Sequence, residues 1–164
     1  MQPEVTDYAG CVIAVDDILE QIEQEVAIFA RRMEFARVTS DSNEDLDRSG
    51  YLLLTSLQRR GKMTIGTLAE VFQLDISTVS RQVTPLIKHG YVLRETSDED
   101  KRVSVLSITD EGEQKLSRVR ASRRELYGRL LNDWSGEERA QFLQLLRRLN
   151  ERIRSRQRDR KEKR

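Results

Sequence analysis

Several things are scarce in this 164-residue chain, and each scarcity excludes something. There is one cysteine, Cys11, which rules out an intrachain disulfide and any metal site assembled from several thiolates. The one histidine, His89, sits beside Gly90 at the end of an apolar-periodic stretch. A positive group is favoured at a helix C-terminus, so His89 reads as a cap rather than a catalytic base. No glycine-rich phosphate loop is present, and no nucleophile is paired with a base in a catalytic pattern. The acids of "SDEDK" (97–101) could be imagined around Mg²⁺, but they read as a solvated hairpin tip or as partners of nearby arginines. The expectation is a protein that is not an enzyme and uses no metal or cofactor. No apolar run approaches the roughly 18 residues of a membrane span, and "MQPEVTDYAG" is too polar and acidic for a signal peptide. A cytoplasmic location with no membrane partner is therefore expected.

What is present is charge and helical periodicity. Hydrophobic residues make up 37% and charged residues 35%, with two prolines and 5% aromatics, which suits a folded, helix-rich chain rather than a disordered one. The length allows one well-packed domain with an appended helical element. The net charge of +1 conceals an asymmetry: residues 1–60 hold 6 basic and 12 acidic side chains, residues 61–114 hold 6 and 9, and residues 115–164 hold 17 and 7. Two amphipathic ends with biased solvent faces would produce this, as would an acidic N-terminal helix lying against a basic C-terminal one within or between subunits. Net charge alone does not identify a nucleic-acid binder.

Residues 12–37 read as one long helix, with Val15, Ile18, Ile22, Val26, Phe29, Met33 and Ala36 stepping by threes and fours. The polar stretch "VTSDSNEDLDRSG" (38–50) reads as a connector. Residues 110–131, started by Thr109, form a helix carrying Leu116, Val119, Leu126, Leu130 and Leu131. Residues 135–153 form another, with Phe142, Leu145, Leu146, Leu149 and Ile153 on one face and Ser135 and Glu138 as a capping box. The basic run 147–164 beyond it reads as a frayed helix end, or as a segment that reaches flanking phosphates or the acidic first helix of a partner subunit. Three long terminal helices exceed what a small middle needs for burial, which predicts a dimer.

The middle is different. "YLLLTSLQRRG" (51–61) is a short apolar helix stopped by Gly61. A second helix starts at Thr64, with Ile65, Leu68, Ala69 and Phe72 on its apolar face. After the turn "QLD" (73–75), in which Leu74 points inward, Asp75 can cap "ISTVSRQVTPLIKHG" (76–90). The buried face of that helix is expected to be Ile76, Val79, Val83, Leu86 and Ile87, with Pro85 bending its last turn. Two short helices around a tight turn make a helix-turn-helix. The runs "YVLRE" and "VSVLSI", joined by "TSDEDKR", then change to strand character and make a hairpin. The fold class is mainly α with a small β-hairpin wing: a winged helix-turn-helix lobe over 51–109, and a helical dimerisation domain from 1–37 and 110–164.

Residues 61–112 resemble MarR-type transcriptional regulators, through "TIGTLAE", "VSRQV", the glycine and "YV" that close the recognition helix, "D-K-R" at 100–102, and "SITDEG". The flanking helices fit that family by order and length. The resemblance implies an obligate homodimer, two winged modules on one palindromic double-stranded DNA site, and a dimer domain built from both chain ends. It also implies repression relieved by a small-molecule effector, phenolic or lipophilic, or by an oxidant. Oxidant-sensing members use a cysteine near the start of the first helix, close to where Cys11 falls, although Asp7, Asp16 and Asp17 would oppose a thiolate there.

The residues support DNA contact in their own right. Opposite the apolar face, helix 76–89 presents Ser77, Thr78, Ser80, Arg81, Gln82, Thr84 and Lys88, a basic, hydroxyl-rich face without an acid. Arg81 and Gln82 have the donor patterns that read guanine and adenine edges. Lys62 and Thr64 would sit near the phosphate backbone, Lys101 on a phosphate, and Arg102 in the minor groove. A winged-helix module that binds protein instead of DNA is disfavoured by this basic face. In the family pattern the aspartate of D-x-R braces the arginine, which gives Asp100 a supporting role beside two surplus acids, Asp98 and Glu99.

Overall fold

Apolar residues at helical spacing in four separate segments converge on one core, and the elements follow from that convergence. The structure, a computed structural model, describes residues 5–6, 12–13, 15–38, 46–97 and 100–162. In chain order it contains β1 (Val5–Thr6), β2 (Val12–Ile13), α1 (Val15–Val38), α2 (Arg48–Arg60), β3 (Met63–Thr64) and α3 (Ile65–Phe72). These are followed by α4 (Ile76–Lys88), β4 (Val92–Thr96), β5 (Ser104–Ile108), α5 (Asp110–Leu130) and α6 (Gly136–Glu162). The chain forms two units, residues 1–44 and 45–164. Among the described residues no helix is long and apolar enough to cross a membrane.

In the first unit, Val5 pairs with Ile13 and Thr6 with Val12 in a short antiparallel ladder. Residues 12 and 13 are therefore extended, and the helix expected from residue 12 begins at Val15. Its apolar stripe is open: Ile22, Val26 and Phe29 are each 50% exposed.

The second unit holds the core. Leu53, Leu54 and Leu57 of α2 meet Leu68 and Ala69 of α3, Val79, Val83 and Leu86 of α4, Leu106 of the sheet, and Leu116 and Val119 of α5. Each such aliphatic side chain contributes about 1.5–3 kcal/mol by leaving water. α2 begins three residues before the expected 51, because the Asp47 carboxylate accepts the Gly50 N–H at 2.7 Å and caps the helix there. α1 runs to Val38 and α2 starts at Arg48, so helix occupies both ends of the stretch read as a connector, 38–50.

The wing is the antiparallel pair β4–β5, in register from Val92 opposite Ile108 to Thr96 opposite Ser104. A third strand, β3, lies on the other side of β5, with Met63 opposite Leu106 and Thr64 opposite Val105. Two residues are too few for an alternating pattern, so the sequence carries no sign of it. α4 departs from expectation at one end: Val79, Val83 and Leu86 are buried and Ile87 partly so, but Ile76 is 62% exposed. It stands in the first turn, before the helix has reached the core. The helix continues unbroken across Pro85.

α5 and α6 meet at a stiff corner. The Arg139 guanidinium donates to the Leu131 carbonyl at 2.6 and 3.1 Å, neutralising the end of α5, and Trp134 meets Phe142 edge to face. The capping box forms: Ser135 N–H donates to Glu138 at 2.7 Å and Glu138 N–H to Ser135 Oγ at 3.2 Å. The Ser135 N–H, and then its hydroxyl, hold the Glu138 carboxyl below its ordinary range. α6 then runs to Glu162, so the basic run read as a fraying end is helical nearly throughout. Leu145, Leu149 and Ile153 lie about half exposed along it.

A small junction joins α4, the wing and α5. The Thr109 hydroxyl donates to the Gly90 carbonyl at 2.6 Å and accepts from Gly112 N–H at 3.0 Å, while Thr109 N–H donates to the Tyr91 carbonyl at 3.1 Å. Gly112 is buried in the first turn of α5 directly against that Tyr91 carbonyl, and a Cβ there would overlap it. Alanine is intrinsically the better helix former by about 1 kcal/mol, yet a clash with fixed backbone outweighs that. Gly112→Ala is expected to lower stability by about 2 kcal/mol in urea denaturation; an unchanged or raised midpoint would contradict the close approach.

Candidate nucleic-acid interface

The burial of Val79, Val83 and Leu86 sets the rotation of α4, and the opposite face has to point outward. Ser77, Arg81, Thr84 and Lys88 are exposed there at steps of four, three and four residues, while Thr78, Ser80 and Gln82 flank them half-buried. No acid occurs between Ile76 and Lys88. Asp75 occupies the N-cap position, but its side chain makes no capping bond; its backbone carbonyl takes Thr78 N–H and Val79 N–H at 3.0 and 3.1 Å. The Arg81 guanidinium donates to Thr78 Oγ1 at 3.4 Å, a long bond on an exposed surface that is cheap to exchange. The Thr84 hydroxyl donates to the Ser80 carbonyl at 2.8 Å, one residue before Pro85 interrupts the helix ladder. At the C-terminus His89 stacks on Tyr91, ring centroids 5.6 Å apart, and Gly90 takes a left-handed φ of +74°.

The remaining sequence candidates lie around this helix. Thr64 is the N-cap of α3, its hydroxyl accepting Thr67 N–H at 3.0 Å. Lys62 pairs with Glu95 at 2.9 Å, and the same carboxylate accepts the Ser107 hydroxyl at 3.3 Å. The hydrogen bond and charge of Lys62 hold the Glu95 carboxyl below its ordinary value. The cause is the sheet: Thr64, Val105 and Glu95 form one row across β3, β5 and β4, which brings Lys62 to the wing strand. Lys101 and Arg102 are exposed at the hairpin tip. There Asp100 accepts the Arg102 backbone N–H at 2.9 Å, and its own carbonyl accepts Val103 N–H at 2.9 Å, so the contact fixes the backbone turn beneath Arg102. Asp98, Glu99 and Cys11 lie outside the described residues.

Two participants escaped the sequence reading. Glu95 is 33 positions from Lys62, and only the strand register joins them. Gln73 looks like an ordinary turn residue, but it is left-handed (φ 55°, ψ 36°), the only such non-glycine among the described residues. In the amide orientation that satisfies both of its ends, its nitrogen donates to Gln157 Oε1 and to the Arg154 carbonyl, and its oxygen accepts from Arg158 Nε, each at 3.2 Å. That ties α6 to the turn that leads into α4.

Comparison with known proteins agrees with this arrangement. Residues 46–104 match the model of the MarR family. The chain is 39% identical over 132 residues to the HTH-type transcriptional regulator YxaD of Bacillus subtilis, covering 80% of this chain and 92% of that one. It is 24% identical over 128 residues to the HTH-type transcriptional repressor MdtR of the same organism, covering 78% and 83%. The crystal structure of the PcaV transcriptional regulator from Streptomyces coelicolor, in complex with its natural ligand, superposes with a TM-score of 0.61 at 26% identity, covering 75% of this chain and 89% of that one. A helix-turn-helix with an acid-free outer face, a three-stranded wing and this degree of likeness leave one assignment: the chain belongs to the MarR family of winged helix-turn-helix, DNA-binding transcriptional regulators.

Proposed function

We propose that the protein is a ligand-responsive repressor that binds a palindromic operator as a homodimer, with α4 in the major groove and the wing beside the flanking minor groove. The outward stripe of α4 carries this reading. Arg81 presents a forked donor that fits guanine O6 and N7, and Gln82 a donor–acceptor pair that fits adenine. Ser77, Thr78, Ser80, Thr84 and Lys88 surround them with groups suited to phosphate oxygens. Thr64 and Lys62 stand at the edge of the same lobe, Lys62 already shared with Glu95. At the wing, Lys101 meets phosphate and Arg102 enters the minor groove, where narrow grooves favour arginine.

Homodimerisation is supported by apolar stripes on α1 and on α6, each about half exposed in a single chain. Faces of this kind are normally covered by a partner, and a second copy supplies the symmetry a palindrome needs. Residues 51–109 then act as the DNA-binding lobe, and residues 1–37 and 110–164 as the dimerisation part. Repression and ligand response are supported by the likeness to MdtR, a repressor, and to PcaV, which was crystallised with its ligand. An effector would act by population shift: DNA selects dimers whose recognition helices stand roughly 34 Å apart, and the effector favours another spacing.

Selection of duplexes from random DNA, followed by gel-shift titration at rising salt, tests the core of this. A palindromic consensus is expected, with affinity falling by a log–log slope of about 0.9 per phosphate contact; no consensus, or no salt dependence, would refute it. Arg81→Ala is expected to cost about 1–3 kcal/mol and relax preference at one base position. Asp100→Ala should weaken binding although it removes a negative charge, because the turn under Arg102 loses its bond; tighter binding would sink that role. The Lys62–Glu95 pair also makes a pH prediction. Since the folded state depresses the Glu95 carboxyl, the pair is intact at neutral pH and is lost only as pH falls through that lowered value. In an NMR titration, Lys62→Met should move the Glu95 midpoint back up; an unmoved midpoint would show that Lys62 is not the cause.

A further inference from the structure

We propose that the C-terminal part of α6 is a second DNA-binding surface, which grips phosphates beside the half-site that α4 reads. The proposal rests on the DNA-binding reading above and extends it to a segment outside the winged helix.

The first observation is what this stretch of helix lacks. The apolar stripe of α6 ends at Ile153, and residues 154–162 contain no apolar side chain. A helix that is polar on every side has no apolar face to bury against its own chain. Arg152, Arg154, Arg156 and Arg158 are all exposed. Arg152 and Arg156, and likewise Arg154 and Arg158, stand four apart, so the helix repels itself along two ridges. A polyanion relieves that repulsion.

The second observation is placement. Arg154 lies 18 residues beyond Gly136, roughly 27 Å along the helix. There α6 meets the helix-turn-helix through Gln73, which bonds to Gln157, to the Arg154 carbonyl and to Arg158 Nε, each at 3.2 Å. Gln73 precedes the first residue of α4 by only three positions, so this part of α6 lies beside the turn that enters α4, where free backbone N–H groups at the helix N-terminus also suit phosphate oxygens.

The third observation is the backbone at that contact. Glycine or asparagine occupies a left-handed position with less strain than glutamine. Gln73 holds it at φ 55° and uses its amide on α6, so the contact offsets an unfavourable conformation. Glu70 and Asp75 are exposed at the same turn, but among the described residues neither forms an ion pair with these arginines. The arginines' charge remains in excess, and Arg158 carries part of it to the turn that leads into α4. This placement favours DNA over the acidic first helix of a second copy.

The test uses the full chain and two duplexes with the same selected palindrome, one ending at its edges and one extended by a helical turn on each side. The intact protein should bind the extended duplex more tightly. In the variant with Arg152, Arg154, Arg156 and Arg158 changed to Gln, that advantage should vanish, and the salt slope on the extended duplex should fall by about 0.9 per lost contact. Binding to the trimmed duplex and the sequence preference should be unchanged. Gln73→Ala keeps every charge and should reduce the same advantage by misplacing α6. Equal affinities and slopes for variant and intact protein would overturn the proposal, as would loss of the dimer in sedimentation, which would mean the arginines pair with a partner chain. If the intact protein selects no sequence at all, the DNA reading fails and the proposal with it, an outcome distinct from losing the extended-duplex advantage alone.

Discussion

The geometry of the DNA-binding lobe depends on one threonine. Thr109 bonds through its hydroxyl to the Gly90 carbonyl and to Gly112 N–H, and through its own N–H to the Tyr91 carbonyl. With those three bonds the end of α4, the root of the wing and the start of α5 become one body. Each bond is worth only about 1 kcal/mol net, but together they close a ring that no single element can leave without breaking the others. Gly112 is glycine because this ring is too tight for a Cβ. The proposed placement of a recognition helix and a wing in two neighbouring grooves needs their relative position fixed in advance, and this junction holds the two elements together.

The lobe also answers a question of charge. The surface proposed to approach phosphate has acids nearby, and three of the described ones are occupied. Asp100 holds a backbone N–H beneath Arg102, Glu95 holds Lys62 against the wing strand, and Asp47 caps α2. Each of these three is spent on local geometry, and α4 itself carries no acid. Net charge is therefore a poor guide: residues 51–109 are close to balanced, with 8 basic and 6 acidic side chains, while the helix proposed to enter the groove is basic by arrangement.

Much of this was legible in the sequence, for a physical reason. The helices of the second unit bury one face, so their period of three and four is written in Leu53, Leu54, Leu57, Val79, Val83 and Leu86. Caps are local as well, and Thr64, Thr109 and the Ser135–Glu138 pair sit where the pattern placed them. Ile76 misled because its spacing fits the apolar face, while its place in the first turn leaves it in water. β3 was invisible because two residues have no period. The same holds for the Lys62–Glu95 pair, which needs the register of three strands before the two residues are neighbours.

The sequence by itself determined the order of elements, the helix-turn-helix with its wing, and the residues that α4 turns outward. All of these follow from contacts within about a dozen residues along the chain. Tertiary structure decided what depends on distant segments meeting. It added a third strand to the wing, gave Lys62 a carboxylate partner and directed the Asp100 contact to backbone. It also carried α6 as a helix back to Gln73. Short-range periodicity cannot encode such meetings, because they are set by packing angles and strand register that arise only once the core has closed.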